Sequence, residues 1–241
     1  MSVVRLDKLL ADLTNRTRSQ VKTDIRKSYV KVNGNICIKN DCKINTEIDK
    51  VELNGKKLEI KEKIYIIMNK PAGVVSATVD NIDKTVIDIL PENLKRKGLF
   101  PVGRLDKDTE GLLIITNDGE YAHKIMSPCK KVYKKYLAKL DGNFTKVMQK
   151  DFECGIILNS GEICKPSYTK ILDDQQQVVQ ISICEGMFHQ VKKMFASVGL
   201  KVLYLQRIEI GSLELDVKLH KGECREMQEY EKQSVFISNL D

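Results

Sequence analysis

Apolar residues recur at two different periods within the first 58 residues. Leu6, Leu9, Leu10 and Leu13 stand three and four apart, which places them on one face of a short helix. Thr17 followed three residues later by Gln20 predicts a capping box that opens a second helix through Val21 and Ile25. The period then drops to two. VKVNGNICI, residues 30–38, sets Asn-Gly between alternating apolar positions and predicts a hairpin leading into a small sheet. Residues 54–63, NGKKLEIKEK, are charged and turn-forming and carry too few apolar positions to pack on either side. The junction is expected there, with 1–58 as one small module, 59–63 as a linker and 64–241 as a larger body.

In that body IYIIMN reads as a buried strand that stops at Lys70-Pro71, because proline cannot continue a ladder and Pro71-Ala72-Gly73 must turn. Further strands are predicted at Leu112–Thr116, Tyr133–Leu140, Val178–Cys184 and Arg207–Ile210. Helices are predicted near Glu120–Met126 and His189–Val198. Their irregular interspersion implies an α+β fold with a mixed, mainly antiparallel sheet.

Composition narrows the class. With 42% hydrophobic and 30% charged residues, 241 residues suffice for one or two domains with a real core. No apolar run reaches about eighteen residues, and MSVVRLDKLLADL has charges where a signal peptide keeps an apolar stretch, so a cytoplasmic protein without a membrane partner is expected. The seven cysteines are scattered without a Cys-x-x-Cys pair and read as buried reduced thiols. His123, His189 and His220 do not fall at ligand spacing, so no metal is expected.

The formal charge of +7 changes the picture more through its position than its size. Residues 1–58 hold 13 Lys and Arg against 7 Asp and Glu, whereas residues 59–241 hold 27 against 26. A basic module joined to a nearly neutral body suits a nucleic-acid tether. Arg5, Lys8, Arg16, Arg18, Lys22, Arg26 and Lys27 lie in or beside the two helices, where several can face one phosphate backbone. An ordinary solvated helix face is the competing reading. Membrane attraction is weaker, since these residues form no polybasic tail.

The most informative stretch is GRLDKDTEGLLIITNDG, residues 103–119. An aspartate placed after Arg-Leu at the lip of an apolar strand can be held rigidly with its carboxylate toward a cleft, which makes Asp106 the candidate reactive group. Asp106, Asp108 and Glu110 imitate half a calcium loop. The twelfth position from Asp106, where a bidentate glutamate belongs, holds Asn117, and the flanking run suits a strand instead of a helix. The segment resembles the active-site signature of the RNA pseudouridine synthases, in the branch that modifies ribosomal RNA and includes the small-subunit enzyme. Two further segments support that resemblance. In KKVYKKYLAKL, Tyr136 could be a core tyrosine or a cleft residue, and Lys134-Lys135-Tyr136-Leu137 resembles the family's Lys-x-Tyr motif, in which the tyrosine belongs to the active site. In EGMFHQVKKMF, Lys192 alone would read as a surface lysine beside Phe188 and Phe195 in spacing. HQVKKMF resembles the family's third motif, whose basic residue pairs with the reactive aspartate. Met187 departs from the pattern, since relatives usually carry a basic residue there.

The resemblance covers nearly the whole chain. The N-terminal helix, TNRTRS loop, helix and VNG hairpin resemble the S4-like (alpha-L) RNA-binding domain over residues 2 to about 48. The implied reaction is isomerisation of a uridine in ribosomal RNA to pseudouridine, which requires no cofactor. Asp106, Tyr136 and Lys192 are the implied catalytic set, and Arg104 is placed to hold the distorted RNA strand. The expected partner is 16S ribosomal RNA or a small-subunit assembly intermediate, met by a monomer. Large-subunit 23S rRNA is the alternative, and a non-catalytic ribosome-assembly protein the alternative of another class. Methyltransferase and deaminase readings lack a glycine-rich loop or a His-x-Glu with Pro-Cys-x-x-Cys.

Overall fold

Leucines spaced by three and four give α1 (Leu6–Thr14) its inward face, directly after the short strand β1 (Val3–Arg5). The computed structural model describes residues 3–61 and 63–237; residues 1, 2, 62 and 238–241, which the expected boundaries 1–58, 59–63 and 64–241 take in, lie outside the described residues. α2 (Arg18–Arg26) opens on the capping box: the Gln20 N–H donates to the Thr17 hydroxyl at 3.3 Å, and the Thr17 N–H donates to Gln20 Oε1 at 2.9 Å. β2 (Val30–Val32) and β3 (Asn35–Ile36) flank Asn33 and Gly34, whose φ angles of 52° and 83° make the turn that a two-residue hairpin needs. β4 (Lys43–Asn45) pairs with β1, and β5 (Val51–Leu53) and β6 (Lys56–Leu58) complete a four-stranded sheet in the order β3-β2-β5-β6. Leu6, Leu10, Ile25, Val30 and Ile44 are fully buried between these elements. Each such side chain contributes ~1.5–3 kcal/mol relative to an exposed one.

Two details depart from the sequence reading of this region. Residues 54–58 close a hairpin, with Asn54 and Gly55 at φ 51° and 75°, so the turn-forming composition there marks a strand connection. The chain divides into two compact units, Met1–Ile64 with Leu90–Leu99, and Tyr65–Ile89 with Phe100–Asp241. No local period marks residues 90–99 as belonging to the first unit, because what places them is contact with distant residues.

The second unit is built on β7 (Tyr65–Lys70), β8 (Phe100–Pro101), β9 (Glu110–Thr116) and α3 (Gly119–Met126). They are followed by β10 (Lys134–Leu140), α4 (Lys146–Cys154), β11 (Tyr168–Ile171), β12 (Val178–Ile183) and α5 (Gln190–Ser197). The last elements are β13 (Val202–Ile210), β14 (Leu213–Glu214), β15 (Cys224–Glu226) and α6 (Glu229–Ser234). Among the described residues the sheet runs β11-β12-β10-β13-β9-β7-β15, with β14 on β13 and β8 on β9. Every pairing is antiparallel except β13 with β9, so the fold is α+β with a mixed sheet. β9 and β7 are interior strands, flanked on both sides and buried on both faces, which explains their unbroken apolar runs.

α4, β11, β15 and α6 carry too little periodic signal to be read in advance; α4 buries only Phe152 among its nine residues. β13 begins five residues earlier than expected, at Val202. The seven cysteines are unpaired, but only Cys164 and Cys184 are buried. Cys129 and Cys154 are exposed because they sit in a short 3-10 turn and at the last residue of α4, which corrects the expectation of uniform burial. Among the described residues no helix is long and apolar enough to cross a membrane.

Candidate active site

The loop that carries Asp106 is fastened at several points, and its main anchor comes from β7. Lys70 is fully buried at the end of that strand, and its ammonium donates to the carbonyls of Pro71, Asp106, Lys107 and Thr109 at 3.0, 3.1, 3.3 and 2.8 Å. Burial pushes Lys70 down to about 8, against the attraction of Asp108, Asp106 and Glu110. The Gly73 N–H donates to the Lys107 carbonyl at 2.7 Å, and Ser76 and Leu105 exchange two hydrogen bonds at 3.0 and 3.1 Å. Turn and loop therefore hold each other. At the far end of the loop, Gly111 has φ 102°, and a Cβ there would lie 2.2 Å from the Arg207 carbonyl oxygen. Only glycine lets β9 and β13 come so close.

The Asp106 carboxylate faces the N-terminal turn of α5. Lys192 Nζ lies 3.0 Å from Asp106 Oδ2 and 2.6 Å from Asp108 Oδ1, and His189 Nε2 lies 3.5 Å from Asp106 Oδ1. The Asp106 side chain is 22% exposed and that of Asp108 74%. Partial burial opposes charge on Lys192, yet its hydrogen bonds to the two carboxylates prevail and raise its pKa. The hydrogen bond from Lys192 also lowers the pKa of the Asp108 carboxyl, against the cost of burial. Lys192 is thus shared between two carboxylates, a division that pairing it with Asp106 alone did not anticipate.

α5 is oriented from behind by Phe195, whose ring packs on Phe144 and Phe152 with centroids 5.4 and 5.1 Å away. Phe188 does not share that buried side: it is 73% exposed and stacks on the His189 ring at 3.8 Å. Its place before the helix, where His189 has φ 54°, turns it outward.

A cleft of about 590 Å³ lies over this group, lined by the Asp106 loop, by β10 and β13, and by residues 185–192. Tyr136 on β10 is buried with its ring on the cleft wall, opposite Arg207 in the ladder to β13. Asp106, Tyr136 and Lys192, separated by up to 86 residues in the chain, all line the same cleft. Arg104 and Met187 line it too, with Arg104 exposed. The remaining basic positions lie in the first unit. Arg5 is held by Asp7 and Arg16 by Asp24, whereas Lys8, Arg18, Arg26 and Lys27 are exposed and Lys22 is half-buried.

Three further cleft-associated residues were not singled out beforehand. Lys70 had a visible signal, a lysine closing an otherwise apolar strand just before proline. Lys134 had one as well, as the lysine of the Lys-x-Tyr motif, whereas Arg207 had none beyond a basic residue on a predicted strand.

Comparison with known proteins finds relatives over nearly the whole chain. The RNA pseudouridylate synthase family model matches residues 64–197. A Bacillus subtilis protein described as an uncharacterized RNA pseudouridine synthase, YtzG, is 39% identical over 230 residues, covering 95% of this chain and 96% of its own. The ribosomal large subunit pseudouridine synthase B of the same organism is 37% identical over 231 residues, 94% of this chain and 93% of its own. The ribosomal small subunit pseudouridine synthase A of Haemophilus influenzae is 38% identical over 234 residues, 95% and 97%. A solved crystal structure of a pseudouridylate synthase superposes with a TM-score of 0.67 at 36% identity, covering 96% of this chain and 99% of that one.

Proposed function

The chain belongs to the RNA pseudouridylate synthase family, and from that premise we propose that it isomerises a uridine of 16S ribosomal RNA in the cytoplasm, with Asp106 as the reacting carboxylate. The observation that carries this reading is the convergence of Asp106, Lys192 and Tyr136 on one cleft.

The chemistry assigns each residue a task. The target base must leave the stack, which costs roughly a few kcal/mol. Tyr136 offers a ring on which the extruded base stacks. Arg104, exposed at the cleft, meets the backbone of the distorted strand. In the first unit Lys8, Arg18, Lys22, Arg26 and Lys27 hold phosphates, while Arg5 and Arg16 must first give up Asp7 and Asp24. Asp106 then acts at the sugar, where cleavage of the C1′–N1 bond leaves an electron-poor carbon that an adjacent carboxylate serves. Lys192 sets a positive charge 3.0 Å from the Asp106 carboxylate and fixes its direction. The freed uracil rotates and rejoins C1′ through C5. The C5 proton is lost and N1 gains one, so composition is unchanged and no redox partner is involved.

Large-subunit RNA is the second reading, motivated by the 37% identity to ribosomal large subunit pseudouridine synthase B. Pseudouridine mapping in both ribosomal RNAs, by carbodiimide-blocked primer extension from cells with and without the gene, separates them. One stop lost from 16S rRNA is the expected result. A stop lost from 23S rRNA moves the target to the large subunit, and no lost stop overturns both.

A further inference from the structure

Among the described residues, two cations that line the cleft form no salt bridge. Lys134 on β10 and Arg207 on β13 are 7% and 3% exposed, and both line the cleft. The Lys134 ammonium carries three donors but, among the described residues, meets one acceptor, the Ile125 carbonyl, at 3.4 Å. Arg207 donates from Nε to the Leu112 carbonyl at 2.7 Å, while its Nη2 is buried without a partner. Neither forms a salt bridge among the described residues. Burial first, and then the neighbouring Arg207 charge, push Lys134 down to about 8. Buried like charges with idle donors are costly, and an apolar pair in their place would stabilise the fold. Their presence is explained if a ligand brings the missing negative charge.

We propose that Lys134 and Arg207 receive the carbonyl oxygens of the target uracil and hold the negative charge that this base carries while it is detached from the ribose. Heterolysis of C1′–N1 sends the bonding pair to N1, from which it spreads onto O2 and O4. When C5 attacks C1′ that electron pair enters the new C5–C1′ bond and the charge is discharged; loss of the C5 proton and gain of one at N1 then complete the isomer without further change of charge. Every route through a detached base generates this anion, whatever Asp106 does at the sugar.

A phosphate is the other anionic group a nucleotide offers, and the surroundings favour the base. The Arg207 guanidinium lies 6.0 Å from the centre of the Tyr136 ring, so charge and stacking platform adjoin. Ile183, Val191 and Leu205 line the same cleft with apolar surface, which suits a flat heterocycle and leaves a phosphate poorly solvated. This inference rests on the reading of Asp106 and Tyr136 given above.

The test uses the full-length protein and transcripts of 16S and 23S rRNA tritiated at uracil C5, from which pseudouridine formation releases label to water. Wild type, Lys134→Met, Lys134→Arg and Asp106→Asn are compared under single-turnover conditions with saturating enzyme, and RNA affinity is measured by filter binding. Lys134→Met is expected to slow release about a hundredfold, equivalent to about 2.7 kcal/mol, with affinity within twofold and thermal stability not lowered. Lys134→Arg should recover at least tenfold of that loss. An unchanged rate in Lys134→Met overturns the proposal. Weakened affinity with a normal rate at saturation also overturns it, since the site then holds a phosphate. A fall in melting temperature with no recovery by arginine overturns it in favour of packing. Release by wild type but not by Asp106→Asn verifies the parent reading in the same assay; no release by wild type overturns both.

Discussion

Lys70 and Lys134 are both buried lysines in the same unit, both pushed down to about 8 chiefly by burial, yet their surroundings differ sharply. Lys70 meets four carbonyl oxygens within 3.3 Å and ties the Asp106 loop to β7. Lys134 meets one, at 3.4 Å, beside a second cation. The same desolvation is compensated by structure at one site and left uncompensated at the other. A satisfied buried charge organises a loop, and an unsatisfied one awaits a ligand.

The largest test of this contrast is Lys70→Met. Four carbonyls would lose the ammonium, of which those of Asp106 and Lys107 keep a backbone donor, and the loop carrying Asp106 would lose its anchor. Unfolding free energy should fall by about 3 kcal/mol, read by urea denaturation, with activity lost as well. Unchanged stability would make the two lysines equivalent and end the comparison. Gly111→Ala is next, because it drives a methyl to within 2.2 Å of the Arg207 carbonyl at a φ that alanine resists. A loss of about 2–3 kcal/mol is expected, with activity falling in parallel. Among these three lysine and glycine variants, stability and activity should diverge for Lys134→Met alone.

The smallest effect sharpens the contrast through pH. The pKa of Lys134 is near 8 in the fold and 10.5 in the reference state, so between those values the unfolded chain binds more protons. Wild type therefore gains stability as pH rises from about 8 to about 10.5. Lys134→Met lacks that gain, while the equal contribution of Lys70 cancels between the two proteins. The variant should melt above wild type by a few degrees below pH 8, for ~1 kcal/mol, and the gap should narrow toward pH 10.5. Calorimetry at four or five pH values reads this directly. A gap that widens with pH would reverse the sign and place the strain elsewhere.

Much of the scaffold was legible in the residues. The leucine spacing of α1, the Thr17–Gln20 box and the Asn33-Gly34 turn are decided within a few positions, and the apolar runs of β7 and β9 follow from burial on both faces. The motifs around Asp106, Tyr136 and Lys192 singled out three residues that line one cleft. What stayed hidden depends on partners far along the chain. Lys70 meets Thr109 across 39 residues and Arg207 meets Leu112 across 95, so the partners that define each role leave no local pattern even where Lys70 itself stands out before Pro71. The sharing of Lys192 between Asp106 and Asp108 escaped for a different reason. Residues two apart in a loop can face one partner or two, and only the backbone path decides which.

The central claim is that the Asp106 carboxylate, held by its loop and paired with Lys192, reacts with the nucleoside. Asp106→Asn keeps the size and removes the charge. Tritium release from C5-labelled ribosomal RNA should drop by at least about a thousandfold, some 4 kcal/mol of transition-state stabilisation, with RNA affinity within a few-fold of wild type. Normal release by that variant would contradict the account.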